Sequence, residues 1–568
     1  MPGSIDASSK WIRSRSKLAR AGFIVVALLA ASVPAFGESE SPARTSDLFL
    51  SHVSQAVQAR YFLAHPEAAP PAFADRLEVA GELRASGGNG GFASVGSPAA
   101  ATRRSTRAGD RFNNDSKGLP QNEESIAVCR SKDNVVLGGT NDYRGLLDPN
   151  QNFTGWHLSL DGGKTLAKEG LLPTIDIAGS LVPSGGDPVV GADGDCNLFA
   201  VSLNYNPETS APFGPTPNGV GLYKTTSATL RGCSGGAVSG CWPTRIAAAV
   251  AAPGHGNNPG DFLDKPWFGV GNTGDGEHIW VAYTDFAFAA DMTTFTASIN
   301  AVRCEADLSS CSEPILISGT DQDVQFADLT IGSDGRTYLS WAQIQGELEG
   351  LPQTFIIKER IAPAGSTTFG PTRIVAREDR AIPFNGFLHA SDFRVATYPK
   401  IATKHVKGHQ RIFITWDACK ARALDVICDQ PVIKLAYSDN DGQTWKRKVL
   451  SVGGDNYFPT IASDSGARVA VAWYTTRFDS FGHRQDVELV TLDPGTAKVI
   501  KRQRVTRVSN EPDADSLLGG VFIGDYFEVF ANHRTAYVHY TANYQKKRLM
   551  NEGLPEGQQD NYLTKRRL

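Results

Sequence analysis

The stretch "SDNDGQTW", Ser438 to Trp445, places a serine, a side-chain carbonyl, a glycine, a threonine and a tryptophan at fixed offsets. A looser copy, "SLDGGKTL", runs from Ser159 to Leu166. In the wider segment "VIKLAYSDNDGQTWKRKVL" the motif separates two candidate strands. Asn440 can hydrogen-bond turn amides and Gly442 can adopt a positive φ, so each residue has a structural role. The motif therefore predicts a tight turn between two strands.

Seven segments after Glu123 repeat one pattern of apolar strand, Gly/Asp turn and second strand. They span residues 124–143, 187–205, 265–285, 327–343, 398–418, 458–476 and 524–542. The period of roughly 60 to 80 residues leaves room for four strands per copy and is typical of a β-propeller. We therefore predict an all-β chain with a single β-propeller of four-stranded blades. Seven blades are favoured, and six with one degenerate copy is the alternative.

Within such a blade, the opening motif lies between the third strand (C) and the fourth strand (D). The pattern Ser/Thr-x-Asp-x-Gly-x-Thr-Trp resembles the Asp box of the sialidase-like, or bacterial neuraminidase repeat (BNR), propeller superfamily. In the second half of the chain the matching residues are Ser438, Gly442, Thr444 and Trp445, with Asn440 replacing the aspartate. In the first half they are Ser159, Asp161, Gly163 and Thr165, with Leu166 replacing the tryptophan. The resemblance implies a secreted propeller that acts on or binds carbohydrate.

The N-terminus has the layout of a secretory signal peptide, with basic residues before the apolar run "AGFIVVALLAASVPAFG". We assign residues 1–37 to the signal peptide, 38–120 to an N-terminal appendage and 121–568 to the propeller. The appendage combines a short helix near "SDLFLSHVSQAVQARYFLAH", with Ser46 as a candidate cap, and a Gly/Ala/Ser-rich linker. We expect a secreted or periplasmic protein without a membrane span after cleavage; an uncleaved anchor is the alternative.

The chain has eight cysteines, an even number that suits an oxidising compartment. Three pairs are close in sequence, and the remaining two fall in turns of adjacent blades. We expect the disulfides Cys233–Cys241, Cys304–Cys311, Cys419–Cys428 and Cys129–Cys196. None of these cysteines forms a C-x-x-C motif, which argues against zinc and redox sites.

The net charge of -4 and the pI near 6.3 give no basic field for nucleic-acid binding. His405 and His409 straddle a predicted turn and not a helix, so they make a poor zinc pair. No phosphate-binding loop or nucleophile-elbow motif is present. We expect neither a cofactor nor a metal.

A propeller ligand site lies by analogy on the face where strand A begins and strand B ends. The polar residues at these positions include Asp187, Tyr398 and Asp417. Arginines can hold a carboxylate, and carboxyls can act as acid, base or nucleophile on a glycosidic bond. By resemblance to sialidases, we assign Tyr526 as nucleophile, Glu123 or Glu124 as its assistant and Asp142 as acid/base. The predicted substrate-binding residues are Arg144, Arg394, Arg477, Tyr143, Asp264, Lys265 and Asp525.

Three functions compete at this level. The first is an exo-glycosidase acting on terminal acidic sugars of glycans. The second is a lyase on uronate-containing polysaccharides, with His157 and His389 as candidate bases. The third is a non-catalytic propeller that binds glycans or proteins. Sialidases carry a Phe/Tyr-Arg-Ile-Pro motif at the start of the first blade, and this chain has no arginine there; its nearest echo is "FRVA" at Phe393 to Ala396.

Overall fold

A computed structural model describes residues 49–50, 52–65, 69, 105–106, 109–210, 214–234, 236–254, 260–289, 294–346, 352–549 and 554–568. The predicted signal peptide and most of the predicted linker lie outside these residues. Within the described part of the chain, no helix is both long and apolar enough to cross a membrane.

The described chain is almost entirely β-structure, and neighbouring strands within each blade run antiparallel. Before the first blade lie helix α1 (Gln55–Ala64) and the short hairpin β1 (Ser105–Thr106) and β2 (Gly109–Asp110). Blade one contains β3 (Gln121–Val128), β4 (Val136–Asp142), β5 (Thr154–Ser159) and β6 (Lys168–Leu171). The hairpin β7 (Ile175–Ile177) and β8 (Ser180–Val182) connects it to blade two. Blade two contains β9 (Ser184–Ala192), β10 (Asn197–Asn204), β11 (Gly219–Thr226) and β12 (Thr244–Val250), with helix α2 (Ser227–Gly232) before β12.

The next two blades follow the same order. Blade three contains β13 (Asp261–Asn272), β14 (Glu277–Phe288), β15 (Phe295–Glu305) and β16 (Ile315–Leu316). Blade four contains β17 (Val324–Ile331), β18 (Thr337–Gln345), β19 (Thr354–Ala362) and β20 (Arg373–Glu378). The connection to blade five carries β21 (Gly386–Leu388) and β22 (Ser391–Val395), which join β25 (Ile427–Cys428) in a small sheet.

The last three blades complete the ring. Blade five contains β23 (Lys400–Val406), β24 (His409–Ala418), β26 (Val432–Ser438) and β27 (Lys446–Val449). Blade six contains β28 (Asn456–Ser463), β29 (Val469–Thr475), β30 (Asp486–Leu492) and β31 (Val499–Arg504). Blade seven contains β32 (Glu528–Asn532), β33 (Thr535–Lys547) and β34 (Glu556–Arg567). Short 3-10 helices occur at Tyr143–Leu147, Ser239–Cys241 and Pro512–Ala514.

The innermost strand of each blade contacts that of the next, and β32 contacts β3, so the ring closes. In blade seven the position outside β34 is taken by the N-terminal side of the chain. Arg111 bridges Tyr562, and the backbone amide of Phe112 donates to Asn561 at 2.8 Å. The prediction of an all-β propeller with seven blades is therefore confirmed. Closing the last sheet with an early segment of the chain covers its open edge.

One position in strand B supplies a large side chain to the core between neighbouring blades. Regular pairing of strands A and B begins at one residue of strand B. The large side chain belongs to the next residue of strand B. In blades three to seven this position holds Tyr283, Trp341, Trp416, Trp473 and Tyr540, each at most 2% exposed. Filling the space between tilted sheets with aromatic rings stabilises the ring by burying apolar area.

Both Asp boxes lie between strands C and D, as predicted, and their hydrogen bonds are similar. Ser438 Oγ accepts from the amide of Gly442 at 3.0 Å, and Asn440 Oδ1 accepts from the amide of Thr444 at 3.0 Å. In the first copy, Asp161 accepts from the amide of Thr165 at 2.9 Å and from its hydroxyl at 2.7 Å. Each box contains a glycine with a positive φ, which side chains with a Cβ rarely adopt. The side chains of the motif therefore stabilise the turn between strands C and D through hydrogen bonds.

All four predicted disulfides are present: Cys129–Cys196, Cys233–Cys241, Cys304–Cys311 and Cys419–Cys428. Cys129–Cys196 links the A–B turns of blades one and two. The next two pairs close C–D connections, and Cys419–Cys428 closes the B–C loop of blade five. Four disulfides agree with folding in an oxidising compartment.

Candidate active site in the central channel

The entry of each strand A is shaped by a repeated irregularity that turns side chains toward the ring axis. In blades one, two, three, four and six the pairing of strands A and B shifts at this point. The residue at the shift has a positive φ of 49–63° in all five blades: Glu123, Asp187, Lys265, Phe326 and Phe458. Blades five and seven place Tyr398 and Tyr526 at the equivalent position. β-Bulges of this kind re-aim side chains, and strained φ values are concentrated at functional sites.

The strand A entries surround a channel with an empty volume of about 430 Å³, a figure that includes adjoining solvent. Its walls come from six of the seven blades. They are formed by Glu123, Asp187, Lys265, Pro266, Trp267, Phe326, Ala327, Tyr398, Pro399, Lys400, Asp525 and Tyr526. Charged and aromatic side chains thus converge in one concave space, which is typical of a ligand site.

Glu123 and Asp187 place two carboxyl groups side by side at the entries of blades one and two. The carboxyl of Glu123 accepts from Asn141 Nδ2 at 2.6 Å and from the amide of Asp525 at 2.9 Å. The same Asn141 accepts the amide of Asp187 at 2.9 Å. Both carboxyl oxygens of Asp187 are buried without a hydrogen-bond partner among the described residues. The charges of the two groups act on each other, since the charge of Glu123 raises the pKa of Asp187.

Burial raises the pKa of Glu123 to about 7, and the negative charge of Asp525 adds to the effect. Burial also raises the pKa of Asp187 well above its usual range, with the charge of Glu123 as the next cause. Since the two groups interact, the pair takes up and releases protons as a unit. A carboxyl that is half-protonated near neutral pH can act as a general acid or base there.

Tyr526 lies in the same channel wall, next to this pair. Its hydroxyl donates a hydrogen bond to the carbonyl oxygen of Pro188 at 2.9 Å, and its ring meets the edge of Trp267 at 5.4 Å. Burial, followed by the charges of Glu123 and Asp187, raises the pKa of Tyr526 well above its usual range. As a nucleophile it would therefore need to pass its proton to a neighbouring carboxylate.

Asp525, the residue before Tyr526, forms an ion pair with Arg394. The guanidinium of Arg394 lies 2.6 Å from Asp525 Oδ2, and both side chains are at most 5% exposed. Tyr398 borders this pair, and burial raises the pKa of its hydroxyl well above the usual range, with the charge of Asp525 as the second cause. The arginine is thus neutralised by a partner of its own chain.

Two lysines supply positive charge to the channel wall. Lys265 pairs with Asp264 at 3.0 Å. Lys400 lies over the ring of Trp267, with Nζ 3.0 Å from the ring centroid. Burial lowers the pKa of Lys400 to about 8, although Asp328 and Glu528 nearby favour its charged form. These lysines are the cations available to a ligand that carries an acidic group.

Several predicted site residues lie elsewhere. Arg144 is held by Asp142 at 2.5 Å and by Glu169 at 2.9 Å in a buried cluster. Arg477 pairs with Glu488 on strand C of blade six. The three predicted arginines therefore serve three separate ion pairs and do not form one carboxylate-binding cluster. The cause is local: each arginine lies near a carboxylate of the described chain that neutralises it.

Two further predicted residues also lie outside the channel wall. Glu124 accepts from the hydroxyl of Thr541 at 2.6 Å and is fully buried. Tyr143 packs against Phe153 with their ring centroids 4.7 Å apart, and it is fully buried as well. Asp142, in the Arg144 cluster, caps the short helix that follows it. These three side chains have structural partners in place of a ligand.

Sequence reasoning missed Lys400 and Trp267, and it assigned no role to Asp187. A signal was available, because four strand entries carry a proline: Pro188, Pro266, Pro399 and Pro459. When the blades are aligned on this proline, Trp267 and Lys400 each follow it directly. Both side chains line the channel.

The candidate lyase bases also lie away from the channel wall. His157 is fully buried, and desolvation lowers its pKa to about 3. His389 is 66% exposed in the connection between blades four and five. Neither histidine is among the residues that line the channel.

Comparison with protein families found no matching family model, and no curated protein matches the chain. Solved structures do match. They include the Hadza microbial sialidase Hz136 (10% identity, TM-score 0.39, 72% of this chain and 73% of that one). The α-L-arabinofuranosidase arb93a of Fusarium graminearum matches at 11% identity and TM-score 0.40, over 70% and 100%. A Dyadobacter fermentans protein of unknown function matches at 11% identity and TM-score 0.38, over 80% and 96%.

Proposed function

We propose that this protein is a glycoside hydrolase that uses the Glu123–Asp187 pair in the channel as its acid and base. The observation that carries the proposal is the burial of these two carboxyls at neighbouring strand entries in the channel wall, where the charge of Glu123 raises the pKa of Asp187. One carboxylic acid and one carboxylate are the usual machinery of glycosidic bond cleavage. The protonated member of the pair donates to the glycosidic oxygen, and the ionised member accepts the proton of the attacking group.

Tyr526 is the proposed nucleophile, as expected from the resemblance to sialidases. It lies beside both carboxyls, so its proton has an acceptor within the site. The attack breaks its hydrogen bond to Pro188, forms a bond to the sugar carbon and releases the leaving alcohol. Water then hydrolyses the tyrosyl–sugar bond and restores the hydroxyl.

We propose terminal acidic sugars as the substrate, with Lys265 and Lys400 as the cations that receive the acid group. They replace the three-arginine cluster expected from sequence. Lys400 is the stronger candidate, because Lys265 forms an ion pair with Asp264, whereas the ammonium of Lys400 lies over the ring of Trp267. A lysine binds a carboxylate as a point charge, without the bidentate geometry of arginine.

The test measures hydrolysis of fluorogenic sialosides, uronides and neutral arabinofuranosides by the purified full chain. Lys400→Met should raise KM for the acidic substrate about tenfold or more and leave any neutral one unchanged. Glu123→Gln and Asp187→Asn should each lower kcat by about a hundredfold or more. Retained kcat in both carboxyl variants would contradict the proposal. New ultraviolet absorbance from a uronate polysaccharide would indicate a lyase instead.

A further inference from the structure

The segment formed by residues 49–50 and 52–64, here called the lid segment, packs on the face where the strands A begin. Phe49 and Val53 are fully buried. The ring of Phe49 meets Phe262 edge-on at 5.1 Å and Phe288 at 5.7 Å, both in blade three. Helix α1 follows, with Ser54 as its N-cap; the candidate cap Ser46 lies outside the described residues. The segment is therefore docked on the ring.

Two backbone groups of the lid segment bind charged residues that border the channel. The amide of Ser54 donates to Asp264 Oδ2 at 2.8 Å. The carbonyl oxygen of Val53 accepts from Arg394 Nη1 at 3.1 Å. Asp264 is also the partner of Lys265, and Arg394 is the partner of Asp525. A peptide of the chain itself thus occupies hydrogen-bonding groups at the channel that a ligand could otherwise use.

The other end of the lid segment reaches blades one and two. The guanidinium of Arg60 lies over the ring of Tyr205 at 4.5 Å and near that of Phe153 at 5.2 Å. Its Nη2 donates to the carbonyl oxygen of Gln151 at 3.0 Å. These three residues belong to B–C loops, on the same face as the strand A entries. The segment therefore contacts blades one, two and three and Arg394 before blade five, all on the face where the strands A begin.

We propose that the lid segment is autoinhibitory: docked, it closes the channel mouth, and displaced, it opens the channel to a glycan. The identity of the ligand rests on the proposed function, whereas the closure rests on the contacts above. No cysteine precedes Cys129, so no disulfide ties the segment to the ring. It is held by apolar packing and a few hydrogen bonds, which a competing ligand or a local change can replace.

Phe49→Asp tests this closure, because a carboxylate in the pocket between Phe262 and Phe288 disfavours docking. The readout is the acetylation rate of Lys265 and Lys400 by an N-hydroxysuccinimide ester, followed by mass spectrometry. We expect at least a tenfold increase in the variant. Lys407, which is exposed in the A–B turn of blade five, should be acetylated at the same rate in the wild type and in Phe49→Asp.

A second pair of variants tests whether the hydrogen bond from the Ser54 amide to Asp264 itself holds the lid segment in place. Ser54→Pro fits the φ of -59° at this position but removes the N–H that binds Asp264. Ser54→Ala keeps that N–H, and both variants lose the hydroxyl cap. We expect faster acetylation in Ser54→Pro than in Ser54→Ala.

The outcomes distinguish the two proposals. Wild-type acetylation rates at both channel lysines in folded Phe49→Asp would overturn the lid. Faster acetylation without hydrolysis of any glycoside by the variant would support the lid and overturn the proposed activity. Faster acetylation with higher kcat/KM would support both.

Discussion

Glu123 accepts a hydrogen bond of 2.9 Å from the backbone amide of Asp525, a residue 402 positions later in the sequence. The contact joins blade one to blade seven at the wall of the channel. The group proposed to transfer protons is therefore also one of the groups that close the ring. Substitutions of Glu123 need to keep an acceptor for this amide, which glutamine does and alanine does not.

Glu123→Gln should remove the fall in kcat that we expect as the pH rises through about 7. With a pKa of about 7, Glu123 is protonated below that pH and ionised above it. If it is the general acid, kcat falls as the pH rises through about 7. The variant should lose about a hundredfold or more in kcat. Hydrolysis rates between about pH 4 and pH 9 check this.

Glu124→Gln is the matched control, since Glu124 is adjacent in sequence, equally buried and bound to Thr541 outside the channel wall. Its kcat should stay within about threefold of the wild type, with the same pH profile. An equal loss of kcat in both variants would indicate that burial of a carboxyl at this junction, and not proton transfer by Glu123, controls activity.

Glu528→Gln should make the protein more stable at alkaline pH. Burial raises the pKa of Glu528 to about 7 in the folded state, above its unfolded value. Its contribution to stability is therefore complete below the unfolded pKa and is lost as the pH rises toward about 7. Glutamine keeps an oxygen for Ser125 and for the amide of Ile126, which both donate to one carboxylate oxygen.

The two proteins should have similar unfolding free energies near pH 4.5, and the variant should gain on the order of 1 kcal/mol above pH 8. Denaturant unfolding at several pH values measures the difference. A difference in unfolding free energy that stays constant with pH would show that Glu528 does not titrate in this range.

Removing the disulfide that joins blades one and two should lower the free energy of unfolding more than removing a disulfide within one blade. Cys129–Cys196 closes a loop of 67 residues, and Cys304–Cys311 closes one of 7. On a chain-entropy estimate, replacing both cysteines by serine costs about 4 kcal/mol in the first case and about 2.5 kcal/mol in the second. Denaturant midpoints of the two double variants give the comparison, and equal losses would contradict the entropic account.

Sequence was a good guide to the fold because its signals are local. A turn motif such as Ser438 to Trp445 needs its own residues only, so it set the strand phase and indicated which strand ends meet at the channel. The cysteine pairs followed from that phase. Glu123, Lys265, Asp525 and Tyr526, which sequence placed at strand entries, line the channel, and their roles stay predictions.

The rest of the site depends on contacts between residues far apart in the chain, which spacing does not encode. Arg144 and Arg477 each have a nearby carboxylate partner, which fixes them away from the channel. Phe49 lies in the appendage, and its docked position follows from packing against Phe262 and Phe288 of blade three. Lys400 was missed because its neighbours in sequence are apolar and its charged neighbours come from other blades.

Asn440→Asp should stabilise the turn with which the fold was first identified. In the first Asp box both carboxylate oxygens of Asp161 accept hydrogen bonds from this turn, whereas Asn440 accepts with one oxygen. A carboxylate adds a second acceptor and charge-assisted bonds, which should contribute about 0.5 kcal/mol. Ser438→Ala should instead cost about 1 kcal/mol, because the amide of Gly442 loses its acceptor. Thermal unfolding measures both, and since this turn lies on the face away from the lid segment, KM and kcat should not change.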